Sequence, residues 1–396
     1  MVTLGNALSG FSKQPVPVRL QLMQRNRRSV VEIEVIAPNL KRKYSGVTST
    51  VAALLPIQEK DTRIATIGPR LPLEWPQIGA IDLLRHARSP IAGRPFRIWH
   101  ARRNGEMLAG VLLKWWCGKQ LKLVFTSAAQ RQHTGWTQFL IRRMDAVIAV
   151  SPESASYLKV PCTVISHGVD TTRFHPSPDR AREWKDGGMP GRYGIGIFGR
   201  VRAQKGTDRF VDAMCALLPR YPDFTAIIVG SIKPEEIGFV ADLKSRAAAA
   251  GVASRIIFLG ELPMEEVRAW LRRVIVNVSP QRWEGFGLLP LEAGASATTS
   301  VATRVGAAPR LIKDGETGYL VDNDDMKLLE ARLEQLMASP QATIAMGIAA
   351  HQHVLAEFSI EREAAAIRAV YERLWQESLS LPPQPPCHTP SSASAY

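Results

Sequence analysis

Short apolar, β-rich runs alternate with helix-length segments along almost the whole chain, and this alternation limits the possible folds more than any other feature. We predict strands at 30–38, 62–68, 96–101, 122–127, 146–151, 162–167, 193–199, 224–230, 255–260, 274–280, 298–304 and 318–321. Continuously apolar strands that alternate with helices favour parallel sheets covered by helices on both faces. The sequence therefore predicts the α/β class, with two doubly wound, Rossmann-like domains.

The segment HPSPDRAREWKDGGMPGR at 175–192 interrupts this rhythm. Its proline, glycine and charge are typical of an interdomain linker, and a chain of 396 residues exceeds one ordinary core. We therefore predict an N-terminal domain over 1–175, a linker over 176–192 and a C-terminal domain over 193–357. Two such domains can place the carboxyl ends of their strands on a shared cleft, where ligands of this fold class bind.

The chain changes character twice after the second domain. Residues 358–380 include SIEREAAAIRAVYERLW, an amphipathic pattern that predicts a terminal helix with Ser359 as its N-cap. Residues 381–396 are rich in proline and serine and cannot bury a core, so they predict a disordered tail.

Charge is distributed unevenly between the two halves. Residues 1–165 contain 24 Lys and Arg against 9 Asp and Glu, a net charge of +15, whereas residues 166–396 have a net charge of −1. This asymmetry indicates that the first half contacts something anionic, for which nucleic acid, an anionic membrane surface and an acidic glycolipid are candidates. A surface tuned for solubility is the alternative.

The sequence shows no sign of export or of membrane insertion. It has no run of 18 apolar residues, its first 30 residues do not form a signal peptide, and its four cysteines are scattered without metal-type spacing. These features predict a reduced, cytosolic protein. The pair Trp115 and Trp116, flanked by lysines, suits either a membrane interface or a helix that buries its aromatic side chains.

The segment FGRVRAQKG at 198–206 has the composition of a diphosphate site. A strand ends at Phe198, and Arg200, Arg202 and Lys205 follow before a helix begins. Arginine forks and a lysine at a helix N-terminus suit a diphosphate. The segment matches neither the P-loop nor the dinucleotide fingerprint, so a basic surface loop is the alternative.

The segment EGFGLLPLEAGAS at 284–296 holds two carboxylates eight positions apart. Glu284 lies in a loop after a buried strand, and Glu292 lies about one and a half turns into a helix that has proline in its first turn. The glycines between them let backbone N–H groups approach a ligand at the positive end of that helix. One acid is suited to sugar hydroxyls and the other to a ribose diol; solvent-exposed acids are the alternative.

Three further features of the sequence are candidate sites. Gly46 follows the first strand and opens a helix, and His100 and His133 follow later strands on the expected cleft edge. A lone histidine is nevertheless more often structural than catalytic. The run DNDD at 322–325 superficially matches a metal-binding motif, but its place before an apolar helix predicts an N-cap and first-turn charges.

Taken together, four segments resemble the retaining family-four glycosyltransferases of the GT-B fold. They are SHGVDTTRF (166–174), GRVRAQKG (199–206), EGFGLLPLEAGAS (284–296) and GAAPRLIKDGETGYLV (306–321). The resemblance implies a nucleotide-sugar donor, no metal or other cofactor, and a terminal helix that crosses back to the first domain. It implies that Glu284 orients the hexose as the principal catalytic-site residue and that Glu292 binds the ribose. The implied donor site comprises Gly199, Arg200, Lys205, Glu284, Gly285, Phe286, Gly287, Leu288 and Glu292.

The first half is similar to the lipopolysaccharide core mannosyltransferases through YSGVTST (44–50), FRIWHARRN (96–104) and FTSAAQRQHT (125–134). This similarity implies GDP-mannose as donor, an anionic Kdo-bearing lipid A acceptor and peripheral contact with the cytoplasmic face of the inner membrane. The implied acceptor side comprises Gly46, His100, Arg102, Arg103 and His133, with His133 also a catalytic candidate. Thr126 and Ser127 stand where many relatives place a histidine, which leaves the role of His133 open.

Three other functions remain compatible with the sequence. The first is a transferase of the same fold that uses another nucleotide sugar or acceptor. The second is a nucleotide-sugar epimerase, and the third a nucleic-acid-binding protein, which would explain the charge but not the donor motifs. The sequence leaves the linkage formed and the oligomeric state open.

Overall fold

The computed structural model describes residues 28–41, 46–69 and 75–379 of the chain. Within these residues, twelve strands form two six-stranded sheets in which every pair of neighbours is parallel. Each of the twelve predicted strand segments overlaps one observed strand, so the predicted α/β class with two doubly wound sheets is confirmed. The predicted disordered tail, 381–396, lies outside the described residues.

The first sheet has the strand order β2-β1-β3-β4-β5-β6. Its strands are β1 Val35–Pro38, β2 Ile64–Ile67, β3 Arg97–Ala101, β4 Leu121–Ser127, β5 Ala146–Ala149 and β6 Thr163–Val164. The helices that connect and cover them are α1 Gly46–Gln58, α2 Ala80–His86, α3 Asn104–Cys117, α4 Gly135–Ile141 and α5 Pro152–Ser156. All residues of β1 and β3 are buried, as expected of parallel strands covered on both faces.

The second sheet has the strand order β12-β11-β10-β7-β8-β9. Its strands are β7 Tyr193–Phe198, β8 Phe224–Val229, β9 Ile256–Gly260, β10 Val276–Ser279, β11 Thr299–Thr303 and β12 Gly318–Val321. The helices of this half are α6 Arg180–Asp186, α7 Thr207–Leu217, α8 Ile237–Ala249, α9 Met264–Arg273, α10 Leu289–Ala295, α11 Ala308–Leu311, α12 Met326–Ala338 and α13 Pro340–Glu357. In both sheets the strand order reverses direction near the middle, which opens a crevice at the carboxyl ends of the strands.

The segment predicted as a linker is partly helical, because it contains α6. Asp179 caps this helix by accepting a hydrogen bond from the backbone of Arg182 at 3.0 Å. Trp184 is only 2% exposed and packs edge-on against Trp270, with ring centroids 6.1 Å apart. The burial of this large side chain fastens the segment to the second sheet, an effect that the local composition of prolines, glycines and charges does not reveal.

The terminal helix, α14 Ile360–Leu379, packs against α1 and thus covers the first sheet. Tyr371 and Trp375 are buried in the same core cluster as the central strands of that sheet. Arg94 binds the Glu372 carboxylate at 2.7 Å, and its guanidinium stacks 3.8 Å from the centroid of the Trp375 ring. The chain therefore passes between the two sheets twice, once before α6 and once before α14.

Candidate active site

A cleft of about 710 Å³ lies between the two sheets, and its walls are formed by segments that follow the carboxyl ends of strands. Lys41 and Ala128 line it after β1 and β4, and Gly199, Gly230 and Gln281 line it after β7, β8 and β10. The cleft edge that parallel topology predicts is thus the edge where the structure brings the two halves together.

The cationic loop after β7 reaches this cleft. Arg200 and Lys205 both line it, and the exposed Arg200 side chain makes no hydrogen bond to any described residue. Gly206 has a φ of +75°, and a Cβ atom there would lie 2.1 Å from the carbonyl oxygen of Pro280. This close approach, which only glycine permits, places the N-terminus of α7 beside the end of β10.

Lys205 and Glu284, which lie 79 residues apart in the sequence, form an ion pair in the cleft. The other carboxylate oxygen of Glu284 accepts a hydrogen bond from the backbone N–H of Gly285 at 2.9 Å. The residue predicted for the diphosphate and the residue predicted for the hexose are therefore adjacent. A diphosphate would compete with Glu284 for the lysine, and its arrival would free the carboxylate for sugar hydroxyls.

The loop that carries Glu284 is fixed to the cationic loop by a second, neighbouring ion pair. Arg282 binds the carboxylate of Asp208 at 2.6 Å, and its backbone N–H donates to the carbonyl of Gln204 at 3.0 Å. Asp208 lies in the first turn of α7, so this bridge ties the helix N-terminus to the loop after β10. The loop after β7 and the loop after β10 form one continuous wall of the cleft for this reason.

The backbone between Glu284 and α10 is supported from behind by the segment 306–307. The N–H of Ala307 donates to the carbonyl of Phe286 at 2.7 Å. Gly306 has a φ of +62°, and a Cβ atom there would approach the same carbonyl to 2.6 Å. As a result, the cleft is lined by Gly285, Gly287 and Leu288.

Glu292 lies on α10 and lines the same wall. Burial raises the pKa of its carboxyl to about 7, against the opposing effect of the Arg268 charge. A carboxylate that accepts hydrogen bonds from a ribose diol must be ionised to accept them fully. The charge state of Glu292 therefore changes near neutral pH, within the range in which the protein is expected to work.

We expect a nucleotide sugar to bind about 3–10-fold more tightly at pH 8 than at pH 6, because the ionised Glu292 accepts hydroxyl hydrogen bonds that the protonated acid loses. The measurement is calorimetric titration with a nucleotide sugar rather than the free diphosphate, whose terminal phosphate itself titrates near pH 6. The Glu292→Gln variant should bind with an affinity that does not change between these two pH values. A pH dependence that persists unchanged in this variant would contradict the assignment.

The same carboxyl should make the stability of the free protein depend on pH. Its folded pKa is raised above the unfolded value, so the folded state holds the proton over the window from about 4.5 to about 7, and stability falls as the pH rises through that window.

The first sheet supplies a cationic wall opposite the donor loops. Arg103 lines the cleft, and its guanidinium donates to the side chains of Asn39 at 2.8 Å, Glu106 at 2.7 Å and Thr48 at 3.0 Å. Arg102 lines a small adjoining cavity, and Gly46 opens α1 as predicted. The anchoring of Arg103 by three side chains fixes the direction in which it presents positive charge.

The structure does not bring the two predicted histidines to the cleft. The ring of His100 is fully buried, with Nδ1 2.5 Å from the Tyr371 hydroxyl and Nε2 2.7 Å from Thr126 Oγ1. Burial holds the pKa of His100 well below its usual value, so the ring is neutral and ties β3 to α14. His133 is half-buried, and it is not among the side chains that line the cleft; burial and Arg131 lower its pKa. Neither ring lines the cleft although both residues lie near the carboxyl end of a strand, because side-chain direction decides access.

His167 takes a place in the cleft that we did not predict for it. It lines the cleft on the side of the first sheet, and its ring packs edge-on against Phe286 with centroids 4.8 Å apart. The available signal was its position, since it follows the last strand of the first half within SHGVDTTRF, a segment that we used only as part of a motif.

Two other predictions concern metals and membranes. Asp325 caps α12 by accepting from the backbone of Leu328 at 2.8 Å, so the N-cap predicted within 322–325 is confirmed. The prediction of first-turn charges was wrong, because the other acids of this run precede the helix, which begins at Met326. The described part of the chain contains no group of three or more His, Cys, Asp and Glu placed to hold a metal ion. None of the helices in the described ranges is long and apolar enough to cross a bilayer.

Comparisons with known proteins agree with this geometry. Residues 184–353 match the family model of the glycosyl transferases group 1. The chain is 49% identical to the lipopolysaccharide core biosynthesis mannosyltransferase LpcC of Rhizobium leguminosarum bv. viciae, over 88% of this chain and 99% of the relative. It is 48% identical to the lipopolysaccharide core biosynthesis mannosyltransferase LpsB of Rhizobium meliloti (strain 1021), over 87% and 98%. The structure of Anabaena Alr3699/HepE in complex with UDP is similar in fold, with a TM-score of 0.74 at 17% identity over 86% of this chain and 100% of that one.

Proposed function

The chain belongs to the group 1 glycosyl transferases and is homologous to lipopolysaccharide core mannosyltransferases, and on this premise we propose that it transfers mannose from GDP-mannose to the Kdo-containing inner core of a lipid A precursor. The observation that carries the proposal is the composition of the cleft. One wall aligns Arg200, Lys205, Glu284 and Glu292, and the opposite wall presents Lys41 and Arg103. A nucleotide sugar fits the first wall, and an anionic sugar acceptor fits the second.

The donor wall provides what hexosyl transfer from a nucleoside diphosphate requires. Negative charge accumulates on the diphosphate as the bond to the sugar breaks. Arg200 and Lys205 neutralise that charge, and backbone N–H groups of the loop after Glu284 add hydrogen bonds. The Arg282–Asp208 bridge joins the segment that carries Lys205 to the loop that carries Glu284, so the backbone of both is in place before the charge develops.

Glu284 orients the sugar in this proposal rather than forming a covalent intermediate. Its neighbour in the cleft is the ammonium of Lys205, and Glu292 lies farther along the same wall on α10. Glu284 therefore serves as a hydrogen-bond acceptor for hexose hydroxyls, and the acceptor hydroxyl attacks on the face from which the diphosphate departs. Closure of the two sheets over the cleft would exclude water and align that hydroxyl.

The acceptor wall supports an anionic acceptor. Kdo is an acidic sugar, and lipid A bears phosphates. The +15 charge of residues 1–165 and the cationic side chains of Lys41, Arg102 and Arg103 at the cleft complement them. A nucleic acid would also complement the positive charge of the first half, but it would not explain the residues of the donor wall.

A lipid-linked acceptor requires contact with a membrane surface, and the first half has a face suited to it. Eight large apolar side chains on α2, α3 and α4 are more than a third exposed: Ile81, Leu84, Leu108, Leu112, Trp115, Trp116, Trp136 and Phe139. We call this set the aromatic face. The exposure of Trp115 at 86% excludes the alternative that this tryptophan packs into the core.

Arginines lie among these apolar side chains. Arg88 stacks 4.3 Å from the centroid of Trp116, and Arg143 stacks 3.4 Å from that of Phe139. Aromatic side chains at the headgroup level beside arginines that attract anionic lipids are the composition of a peripheral membrane surface. An apolar groove of about 530 Å³ between α2 and α3 runs from this face to Leu40, next to Lys41 in the cleft, so an acceptor held in the bilayer would reach the site from this side.

We expect the double substitution Leu112→Ser and Trp115→Ser to reduce binding to vesicles that contain anionic lipid by about 10-fold or more, because each side chain loses apolar area buried in the interface. The measurement is co-sedimentation with vesicles of mixed zwitterionic and anionic lipid. Ile237→Ser is the matched control, since Ile237 is 63% exposed on the second half. Equal loss in this control, or no loss in the double variant, would contradict a role for the aromatic face.

The proposed function is tested by turnover of the purified protein. GDP-mannose, UDP-glucose and ADP-glucose are each incubated with a Kdo-bearing lipid A precursor, and the product is identified by mass spectrometry. We expect a mass increase of one hexose with GDP-mannose alone. Transfer from another nucleotide sugar would overturn the assignment of GDP-mannose as the donor. Transfer only to an acceptor without Kdo would overturn the assignment of the acceptor. Isomerised sugar released without an acceptor would favour an epimerase.

A further inference from the structure

His167 stands where the chain passes between the two sheets. Directly after it, the N–H of Val169 donates to the carbonyl of Phe358 at 2.9 Å, and the N–H of Ile360 donates to the carbonyl of Val169 at 3.0 Å. The two connections between the halves are thus hydrogen-bonded side by side. His167 is held at the bottom of the cleft by this pairing and does not depend on a mobile loop for its position.

The carboxylate of Glu363 fixes the orientation of the His167 ring and faces its Nδ1. Its Oε1 lies 2.8 Å from Nδ1 of His167, and its Oε2 accepts from the backbone N–H of Gly168 at 2.7 Å. Glu363 is only 6% exposed, so both of its oxygens are committed to these two partners. Because a carboxylate accepts hydrogen bonds, Nδ1 of the imidazole carries a proton, and in this tautomer Nε2 presents a lone pair.

Nε2 of His167 has no hydrogen-bond partner among the described residues, and the ring borders two spaces. One is the main cleft, which the ring lines together with Lys205 and Glu284. The other is the small cavity that contains Arg102 and Thr126 on the side of the first sheet. The edge-on contact with Phe286 keeps the ring between the donor wall and the acceptor wall.

We propose that Nε2 of His167 accepts a hydrogen bond from a sugar hydroxyl bound in the cleft and that Glu363 is the residue that positions it. The charged side chains of the acceptor wall, Lys41, Arg102 and Arg103, can only donate hydrogen bonds, whereas a hydroxyl that donates requires an acceptor. The hydroxyl of Thr126, which also borders the small cavity, is hydrogen-bonded to His100 at 2.7 Å. His167 thus supplies the acceptor that His133, outside the cleft, does not supply.

The inference deepens the proposed function and rests on it, because it requires a sugar in the cleft. The hydroxyl belongs either to the hexose of the donor or to the sugar of the acceptor; the chemistry of the contact is the same in both cases. Two activities separate these sources: hydrolysis of the nucleotide sugar in the absence of an acceptor, and transfer in its presence.

The first test replaces His167 with phenylalanine, which retains an aromatic ring against Phe286 but has no nitrogen. We expect kcat/KM for transfer to fall by about 10–100-fold, the loss of one well-placed hydrogen bond to a buried group. The affinity for GDP should stay within about 2-fold, since GDP contains no hexose. His175→Phe, at an exposed histidine of the segment between the sheets, is the matched control and should leave both quantities unchanged.

The second test, Glu363→Gln, retains the His167 ring but is expected to reverse its hydrogen bonding. The N–H of Gly168 still requires an oxygen, so the amide oxygen faces Gly168 and the amide NH₂ faces Nδ1. The ring then carries its proton on Nε2, which donates instead of accepting. Transfer should fall about as far as in His167→Phe, although the ring remains and GDP still binds. If Glu363 only stabilises the fold, this variant will instead show a lower Tm with unchanged kcat.

Hydrolysis assigns the hydroxyl to its source. If it belongs to the donor hexose, acceptor-independent hydrolysis of the nucleotide sugar will fall together with transfer in both variants. If it belongs to the acceptor, hydrolysis will be unchanged and only transfer will fall. Transfer rates within about 2-fold of wild type in both folded variants would overturn the inference. The wild-type protein is assayed in parallel with whichever nucleotide sugar it turns over. An error in the proposed donor is thus distinguished from an error in the role of His167.

Discussion

Glu284→Gln should lower the rate of sugar transfer by about 100-fold or more while the affinity for GDP is retained or increased. The carboxylate accepts hydrogen bonds from hexose hydroxyls, and two charge-assisted bonds of about 1.5–3 kcal/mol each correspond to a loss of this size. GDP has no hexose and therefore does not form these hydrogen bonds. In the free protein Glu284 is paired with Lys205, so removing its charge frees the lysine for the diphosphate.

The measurement combines single-turnover transfer with calorimetric titration of GDP. Glu266→Gln, at an exposed acid on α9, is the control for the loss of one negative charge on the same half and should change neither quantity. Near wild-type turnover in a folded Glu284→Gln protein would remove Glu284 from the proposed mechanism. A large loss of GDP affinity would show instead that the residue acts on the nucleotide.

Lys205→Gln should lower both GDP affinity and turnover, each by about 10–100-fold. The ammonium stabilises the diphosphate, and its contribution to turnover grows as charge develops on the leaving group; removing one such donor costs about 10²–10³ in rate in other enzymes. The substitution also leaves the Glu284 carboxylate without its ion-pair partner in a partly buried site, which adds repulsion toward the phosphates.

The double variant Lys205→Gln, Glu284→Gln distinguishes these contributions. If the unpaired Glu284 carboxylate repels the phosphates, GDP should bind the double variant better than it binds Lys205→Gln alone. If Glu284 acts only by competing for the lysine, its replacement should raise GDP affinity in the wild-type background and have no effect in the Lys205→Gln background, so the two effects will not be additive. Lys327→Gln, at an exposed lysine on α12, is the matched control. Unchanged GDP affinity in Lys205→Gln would contradict the assignment of this side chain to the diphosphate.

The described structure also explains why two candidates with the same sequence rationale had different outcomes. Both lie in the segment FRIWHARRN, His100 within β3 and Arg103 two residues after its end. The ring of His100 points into the core and binds Tyr371 of α14, whereas Arg103 turns toward the cleft and is held by Asn39, Glu106 and Thr48. A strand alternates its side chains between two faces, and in a sheet covered on both sides each face is buried until the strand ends. A shift of a few residues along the chain therefore separates a core position from a site position.

The local sequence pattern determined the secondary structure of this protein and the placement of its main motifs. The periodicity of apolar residues was sufficient to predict all twelve strands, because the alternation between strand and helix depends on residues that are close together in the sequence. The same applies to Asp325, whose role as a helix cap depends on the three residues that follow it, and to the placement of the donor motifs after β7 and β10. The parallel topology then required both motifs to lie at one edge of the second sheet.

Only the tertiary structure decided which side chains meet within that edge. The pairing of Lys205 with Glu284, the bridge from Arg282 to Asp208, and the contact of His167 with Glu363 join residues that are 79, 74 and 196 positions apart. Such contacts depend on how whole helices and sheets pack and on the direction of each side chain, neither of which appears in local periodicity. The sequence by itself thus determined the class of fold and the placement of both proposed donor motifs at one edge of the second sheet. The packing of α14 against the first sheet determined that His167, oriented by the buried carboxylate of Glu363, lies across the cleft from those motifs.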